Sequence, residues 1–472
     1  MWAIDRVQLA WFTATAVVLH LPGLVVRLFN SDEASLATMA TVLARGGRLY
    51  HDTADRKPPI VPYLYSVVFR LTGSTDIRPV RILALVALVA TAVLLANEVK
   101  RRYASDKLAL ASGLLFLVAF VAFFPDDSQA ATFELFQLLP MTAAVIAAAR
   151  DRPGRSGVYL ALATLCKQTA ITTLLPVAYL VWRSRRGAGL GRMACGFALP
   201  VAVAAVMLGP GPFLLWTVTG NGGYLGNVGS FEEAFLRGFA MTVSLAGLEL
   251  GLLGLCVLAA RRGLASIDLW LWVVSGLVAV VAGFRFFGHY YLPLLPPAVL
   301  IAAPALARIS PRARNVLAGV VAAPAIVCAI IGFFPTGDSA SIPVAELAQG
   351  VRDETVPGDR ILVWGDLPEL YWASGREPAT RFVHTGFLTG NSGGRPNGSG
   401  DASDALPGAW AMLDDDLAEH PADLIVDTST ASIRQQEYYP LSATPLWEMV
   451  TTSYHLVDVI DGVRLYRLGP SR

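Results

Sequence analysis

Long unbroken apolar runs are the feature that most constrains how this chain can fold. Between Val7 and Phe334, runs of about 20 apolar residues recur, which is the length a helix needs to cross roughly 30 Å of hydrocarbon. After Phe334, charges, glycines and short alternating segments replace these runs. The pattern predicts a polytopic α-helical membrane domain over residues 1–334, with about 11 transmembrane helices, and a soluble α/β domain over residues 335–472.

The charge balance excludes one class of partner. The chain has 37 Lys and Arg against 36 Asp and Glu, whereas nucleic-acid binding needs a concentrated basic surface. We therefore expect no nucleic-acid partner. The four cysteines all lie in apolar runs, so neither a disulfide framework nor a metal-thiolate site is predicted, and the redox compartment stays open.

Short basic loops predict the orientation of the chain in the bilayer. They lie at residues 100–107, 150–155, 183–192, 261–262 and 308–314. Because Lys and Arg accumulate in cytoplasmic loops, the segment at 30–78 and the C-terminal domain are predicted to be extracytoplasmic, in a multi-pass protein of the plasma (inner) membrane. The first apolar run lacks a small-x-small cleavage site and is predicted to remain as an uncleaved helix.

One segment has an unusual length. Gly157 to Trp182 begins and ends beside basic loops, yet it is long enough only for two shortened helices. We expect it to dip into the bilayer and return, with Lys167 near the turn. The count of about 11 helices takes this pair as two.

The exterior loop at residues 30–78 is more than a connector. Ser31-Asp32-Glu33 precedes a helix-compatible stretch at 34–45 that stops at two glycines. The segment at 50–59 ends in Lys57-Pro58-Pro59, and paired prolines exclude a helix and favour an extended turn. A second surface helix is predicted at 62–71.

The C-terminal part has a mixed secondary-structure pattern. Apolar and β-branched runs predict strands at residues 360–364, 423–427, 454–460 and 463–467. Helix-compatible stretches lie at 367–373 and 432–438. Residues 391–401, rich in Gly, Ser and Asn, are predicted to form a flexible loop.

Three acidic residues are candidates for catalysis. Asp32 and Glu33 at a helix start suit either capping and the helix dipole or a general base beside the membrane surface. Glu134 lies within an apolar run. Since a carboxylate there is costly, it is either functional or paired with an arginine at the interface.

Basic groups on the predicted exterior side are candidates for binding a phosphate. Lys57 and Lys167 would hold the phosphate of a lipid carrier, or else reach to the headgroups as ordinary interfacial lysines. Arg285 and His289, one turn apart if helical, would clamp a phosphate oxygen. Tyr290 is grouped with them, although an aromatic belt also explains a tyrosine there.

A divalent cation is a further candidate ligand of the exterior loop. His51, Asp52 and Asp55 have side chains of the kind that bind Mg²⁺ or Mn²⁺. Loop residues of this kind are also commonly only solvated. No other cofactor is predicted.

At these residues the chain resembles the GT-C glycosyltransferases, of the family 39 type that includes protein O-mannosyltransferases and aminoarabinose lipid A transferases. The likeness covers roughly the first 185 residues well and the rest thinly. It rests on Asp32-Glu33, on residues 49–52 leading to Lys57-Pro58-Pro59, on Arg78 to Arg81, on Leu165-Cys166-Lys167 and on residues 285–291.

The resemblance implies a GT-C-like membrane fold and an inverting transfer of a sugar from a polyprenyl phosphate to an extracytoplasmic acceptor. By analogy Asp32 is the base, and Lys57, with Lys167 and Arg285, holds the donor phosphate. Glu134 stands where the family often has a second acidic residue. The pair Asp126-Asp127 competes for that second role.

Two other classes of protein fit part of the pattern. A transporter or flippase of lipid-linked sugars would also bind a phosphate, but it would need cations on both faces, whereas here they gather on one, and no internal repeat is visible. A non-catalytic protein that binds glycan through its exterior domain is the third alternative.

Overall fold

The structure, a computed structural model, describes residues 5–221, 231–334, 342–390, 405–431, 433–434 and 436–469. The predicted loop at 391–401 lies outside these residues. The chain divides into two compact units, each built from three segments. Unit 1 contains Met1–Phe29, Arg78–Val206 and Phe235–Pro335, and unit 2 contains Asn30–Ile77, Met207–Ala234 and Thr336–Arg472.

Unit 1 is built from helices and contains no strand among its described residues. Its helices are α1 (Arg6–Leu19), α2 (Leu21–Val25), α5 (Arg78–Tyr103), α6 (Asp106–Val121), α7 (Pro125–Ser128), α8 (Phe133–Ala149), α9 (Pro153–Cys166), α10 (Leu174–Leu208), α12 (Phe231–Leu248), α13 (Leu250–Arg261), α14 (Ile267–Val281), α15 (Leu295–Leu306) and α16 (Pro311–Ile331). Several begin at a side-chain cap: Asp5 accepts from the Gln8 amide at 2.7 Å and Ser105 from the Leu108 amide at 3.2 Å. Such caps satisfy amides that the first turn leaves unpaired.

Four helical segments among the described residues are long and apolar enough to cross a bilayer: Arg78–Tyr103, Gln168–Leu208, Gly288–Leu306 and Pro311–Ile331. The pair α12 and α13, bent by 87°, makes a fifth if it is one span. Shorter apolar helices lie at Arg6–Leu19, Ile60–Thr72, Phe133–Ala149 and Ile267–Val281. The total of about 11 transmembrane helices therefore stays a prediction.

The chain breaks at Lys167, where a turn was expected. Helix α9 ends at Cys166, Lys167 has extended dihedral angles, and a 3-10 helix at Gln168–Thr173 leads into α10. The basic segment at 183–192 was predicted to be a loop. It is instead part of α10, which is kinked where Arg186 takes φ 49° and ψ −141°. Helix periodicity cannot signal a single residue of positive φ.

Glycines allow α9 and α10 to approach very closely. A β-carbon at position 157 would overlap with the carbonyl oxygen of Met193, and one at position 196 with the carbonyl oxygen of Gly154. Backbone atoms cannot move aside as a flexible side chain can, so a larger residue at either position must push the helices apart.

Unit 2 contains the polar loop together with the C-terminal segment. Its helices are α3 (Ser31–Ala44), α4 (Ile60–Thr72), α11 (Pro210–Thr217), α17 (Val344–Asp353), α18 (Glu369–Ser374), α19 (Gly386–Thr389), α20 (Ala409–Glu419) and α21 (Leu446–Ser453). Helices are present at both predicted positions in the loop, as α3 and α4, while their placement along the membrane face stays a prediction. The predicted helix at 367–373 is found as α18. Of the predicted stretch 432–438, the described part contains a 3-10 turn at Gln436–Tyr438.

A five-stranded sheet forms the core of unit 2, in the order β2-β1-β3-β5-β4. The strands are β1 (Arg360–Trp364), β2 (Glu377–Pro378), β3 (Leu424–Asp427), β4 (Tyr454–Ile460) and β5 (Val463–Leu468). Strand β1 pairs in parallel with β2 and β3, and β5 pairs antiparallel with β3 and β4. Four strands match the prediction, whereas β2, only two residues long, left no periodic pattern to detect.

The loop at residues 30–77 is bound to the C-terminal segment within unit 2. Thr38 Oγ1 donates to the Pro368 carbonyl at 3.3 Å, and the Ala54 amide donates to the Arg381 carbonyl at 2.9 Å. The loop thus belongs to the same compact unit as the residues that follow position 335, and the domain boundary predicted at residue 334 stays a prediction.

We expect Gly196→Ala to lower the free energy of unfolding by about 1–3 kcal/mol, since the new methyl group overlaps with backbone. The measurement is thermal unfolding of the purified protein in detergent. Gly191→Ala is the matched control on the same helix, because nothing lies within 4 Å of a β-carbon there. Equal melting of both variants would contradict the described packing of α9 on α10.

Candidate functional site

A buried ion pair lies at the centre of the candidate site in unit 1. Glu134, the second residue of α8, pairs directly with the Nζ of Lys167, which follows the last residue of α9. The two side chains are 1% and 6% exposed. A buried charge is stable only when an opposite charge or hydrogen bonds compensate it, so each of these groups holds the other in place.

Two aromatic residues complete the surroundings of the lysine. The Nζ of Lys167 lies 4.0 Å from the ring centroid of Tyr290, a cation–π contact. The ring of His289 packs edge to face with Tyr290, with centroids 4.9 Å apart. The lysine ammonium is therefore confined between the Glu134 carboxylate and the Tyr290 ring.

His289 links two carboxylates. Its Nδ1 lies 2.7 Å from Asp127 Oδ1, and its Nε2 lies 3.5 Å from Glu134 Oε1. We call Asp127, Glu134, Lys167, His289 and Tyr290 the buried charge cluster. The network brings together an acid, a base and a fixed cation, which are the groups that orient a phosphate and move protons near it.

A glycine makes the contact between His289 and Asp127 possible. A β-carbon at position 288 would overlap with the Asp127 carboxylate. Gly288 begins a 3-10 helix at Gly288–Leu294, which carries His289 and Tyr290 into the cluster. Only a residue without a side chain lets the carboxylate lie this close to the backbone.

Arg285 is completely buried in unit 1, at 0% exposure. The residues on each side, Phe284 and Phe286, have φ of 49° and 53°. The segment is therefore not helical, so the condition under which Arg285 and His289 would lie one helical turn apart is not met, and their joint binding of a phosphate stays a prediction. Positive φ at two non-glycine residues is strained, and strain of this kind is concentrated at functional segments.

The acidic pair of the exterior loop lies in unit 2, at the first turn of α3. Asn30 caps the helix by accepting from the Glu33 amide at 2.9 Å. Glu33 is fully buried, whereas Asp32 is half-buried. Of the two carboxylates, Asp32 is the more exposed, and it lies at the positive end of the helix dipole.

Lys57 lies in a compact turn of the same unit. Its Nζ is 4.0 Å from Asp55 Oδ2, and its carbonyl accepts a hydrogen bond of 2.7 Å from the Tyr50 hydroxyl. Burial raises the pKa of the Tyr50 phenol well above its ordinary value, and the Asp55 carboxylate adds to this effect. The phenol is therefore a permanent donor that fixes the backbone at Lys57.

The three candidate metal ligands do not form a ligand set. Asp52 Oδ2 accepts from the Arg48 amide at 2.6 Å, and Asp55 Oδ1 accepts from the Arg56 amide at 2.6 Å. No group of three or more His, Cys, Asp or Glu residues that could hold a metal is found in the part of the chain that the structure describes. His51, Asp52 and Asp55 thus do not fit a divalent cation as ligands, and whether the protein uses one stays untested.

Sequence reasoning found most members of the buried charge cluster singly but missed how they connect. Asp127 was considered only as a rival of Glu134, whereas both contact His289. Asp127 and His289 are 162 residues apart, so no local spacing could have paired them. The available signal in the sequence was Gly288, next to His289, because a glycine allows another group to approach the backbone closely.

We expect Glu134→Gln to destabilise the protein by about 3 kcal/mol, because it leaves the Lys167 ammonium buried without its counter-charge. Thermal unfolding in detergent measures this. Adding Lys167→Met to Glu134→Gln removes the stranded charge and should recover most of the loss. If the single variant melts like the wild type, the ion pair does not have the importance assigned to it.

Comparisons with known proteins relate the sequence and the fold of this chain to glycosyltransferases. Residues 56–216 match the family model of dolichyl-phosphate-mannose-protein mannosyltransferases. No curated protein sequence matches the chain.

Three solved structures share the fold. ArnT from Cupriavidus metallidurans, crystallised with undecaprenyl phosphate, has a TM-score of 0.66 and 16% identity, over 99% of this chain and 100% of that chain. Arabinofuranosyltransferase AftD from Mycobacteria has a TM-score of 0.55 and 17% identity, over 99% of this chain and 40% of that chain. The Archaeoglobus fulgidus oligosaccharyltransferase has a TM-score of 0.53 and 13% identity, over 98% of this chain and 73% of that chain. The resemblance seen in the motifs is confirmed: this chain has the fold of the GT-C membrane glycosyltransferases.

Proposed function

We propose that this protein is a membrane glycosyltransferase that moves a sugar from a polyprenyl-phosphate donor to an extracytoplasmic acceptor, with inversion at the anomeric carbon. The observation that supports this best is the likeness in fold, over the whole chain, to ArnT bound to undecaprenyl phosphate. The acceptor is a cell-envelope glycan, a lipid or a protein. The proposed location is the plasma (inner) membrane, with the C-terminal domain outside.

Asp32 is the proposed general base. Its carboxylate removes the proton from the acceptor hydroxyl as the hydroxyl oxygen attacks the anomeric carbon of the sugar. The bond between that carbon and the phosphate oxygen breaks, and the polyprenyl phosphate leaves with the electron pair. The half-buried position of Asp32 at a helix N-terminus supports this role.

Cationic groups are proposed to stabilise the charge that develops on the departing phosphate. In unit 2 this group is Lys57, held by the turn around Tyr50. In unit 1 the groups are Lys167 and Arg285, with His289 and Tyr290. Preorganised cations of this kind lower the barrier because they need no reorganisation during the reaction.

Glu134 is proposed as a positioning residue rather than as a second acid that touches the sugar. Its side chain is 1% exposed and is engaged with Lys167 and His289. This changes the role that the family resemblance implied. Asp127 shares the task, because it holds the opposite nitrogen of the His289 ring.

Asp32→Asn should reduce sugar transfer at least about 100-fold, because general-base catalysis contributes that much or more. The assay uses the full-length protein in vesicles and follows the release of labelled sugar from a panel of polyprenyl-phosphate hexoses and pentoses. Glu346→Gln is the control, since Glu346 is also in the first turn of a unit 2 helix but is exposed. It should keep wild-type activity.

Three outcomes of this assay would count against the proposal. Wild-type transfer by Asp32→Asn would remove Asp32 as the base. Loss of transfer in both variants would point to helix stability instead of catalysis. Labelled lipid that crosses the vesicle bilayer while no donor is consumed would favour the transporter or flippase.

Gly288→Ala should raise the KM for the donor about tenfold or more, because a displaced Asp127 no longer fixes His289 in the proposed phosphate-binding cluster. The measurement is steady-state kinetics at varied donor concentration. Gly319→Ala is the control, since nothing lies within 4 Å of a β-carbon there. An unchanged KM in a folded Gly288→Ala protein would separate the cluster from donor binding.

A further inference from the structure

Four arginines line one open pocket in unit 1, at the opposite end of α9 from Lys167. The pocket has a volume of about 450 Å³ and lies at the start of α9. Arg152 and Arg155 come from that end of α9, and Arg185 and Arg192 come from α10. All four side chains are exposed. The pocket belongs to the side of the protein that the basic loops predict to be cytoplasmic.

The positive charge of this pocket is only partly compensated. Asp151, the one carboxylate among its lining residues, accepts from the Nε of Arg185 at 2.7 Å with both of its oxygens. That hydrogen bond lowers the pKa of the Asp151 carboxyl below its ordinary value, so the group is ionised. Four arginines and one aspartate leave three positive charges in excess.

The end of α9 adds to the same charge. The first turn of this helix contains no acidic residue, and Pro153 occupies its first position. The amides of Gly154 and Arg155 have no acceptor within the helix, because they belong to its first turn. The positive end of a helix dipole normally attracts acidic side chains, and here arginines stand in their place. A bound anion would offset the repulsion among the arginines and also the repulsion between these arginines and the positive end of the helix dipole.

The kink in α10 brings arginines from both of its parts to the pocket. Arg185 and Arg192 lie on opposite sides of Arg186, whose positive φ redirects the helix. The close contact between Gly196 and the Gly154 backbone holds the following part of α10 against α9. The arginines therefore converge because of the fold and not only because they are close in sequence.

An apolar strip leads away from the arginines. Leu199 and Val203 are 7 and 11 residues beyond Arg192, a spacing that puts the three side chains on one face of a helix. Leu199 is 66% exposed and Val203 is 49% exposed. A free phosphate ion has no apolar part that could contact this strip, whereas the acyl chain of a lipid can pack along it.

We propose that this pocket is a binding site for an anionic phospholipid, with its phosphate group among Arg152, Arg155 and Arg192 and an acyl chain along Leu199 and Val203. Basic pockets between helices at the cytoplasmic side of membranes suit such headgroups. The site is separate from the proposed donor site and does not depend on the glycosyltransferase activity.

The test measures lipid binding to the full-length protein in a zwitterionic detergent, by native mass spectrometry. The probes are phosphatidylglycerol, phosphatidylcholine and inorganic phosphate. The wild type should bind phosphatidylglycerol at least about tenfold more tightly than phosphatidylcholine. Each basic group contributes about fivefold, so Arg152→Gln/Arg155→Gln/Arg192→Gln should bind phosphatidylglycerol roughly 100-fold more weakly.

A matched control removes the same charge elsewhere. Arg261→Gln/Arg262→Gln/Arg314→Gln lowers the charge of other predicted cytoplasmic loops by three and should bind phosphatidylglycerol like the wild type. Arginines in cytoplasmic loops also direct how the chain inserts into the membrane, so the triple variants could change more than the pocket. Asp151→Asn provides a test that removes no arginine. It frees Arg185 and should tighten phosphatidylglycerol binding about fivefold.

Any one of five results would overturn the proposal. The first four are equal affinity for the two lipids, an unchanged affinity in the folded triple variant, an equal loss in the control, and no gain in Asp151→Asn. Binding of inorganic phosphate as tight as that of phosphatidylglycerol would also overturn it, because the ligand would then be a soluble anion and not a lipid.

Discussion

The ion pair between Glu134 and Lys167 is the interaction on which unit 1 depends most. Neither charge is stable when it is buried alone, so the start of α8 and the end of α9 must meet where the two side chains can pair. His289 and Tyr290 contact this pair directly, and Asp127 joins the buried charge cluster through its hydrogen bond with His289. Five groups from four separate parts of the sequence are therefore ordered by one electrostatic requirement.

Local patterns predicted those parts of the fold that obey a regular period. Helices α3 and α4 carry their own start and stop signals, and four of the five strands show apolar or alternating runs. The site residues of unit 1 were visible singly, because a charge in an apolar run is costly and has to have a reason. Their partners were not visible, since pairing across 33 residues, as for Glu134 and Lys167, or across 162, as for Asp127 and His289, follows from packing and leaves no spacing to detect.

The differences between expectation and structure have a common physical origin. Arg186 kinks a helix where a loop was expected, and Phe284 and Phe286 lie in a non-helical segment where the sequence left a helical turn open. Each depends on a positive φ at a residue other than glycine. Such a conformation depends on tertiary contacts and cannot be predicted from composition. The division of the chain into units was likewise hidden, because it depends on hydrogen bonds between segments far apart, such as that from Thr38 to Pro368.

These long-range bonds also set an order of events during synthesis. Thr38 and its acceptor at Pro368 are separated by 330 residues, which take about 15–65 seconds to translate at roughly 5–20 residues per second. The Ala54 amide likewise gains its acceptor, the Arg381 carbonyl, only after Arg381 has been synthesised. The loop that carries Asp32 thus leaves the ribosome early but gains its last supports only after the membrane helices have been made. A chain that is cut short during translation carries Asp32 without the contacts that hold its loop, so the loop reaches its folded arrangement only in copies that have been synthesised beyond Arg381.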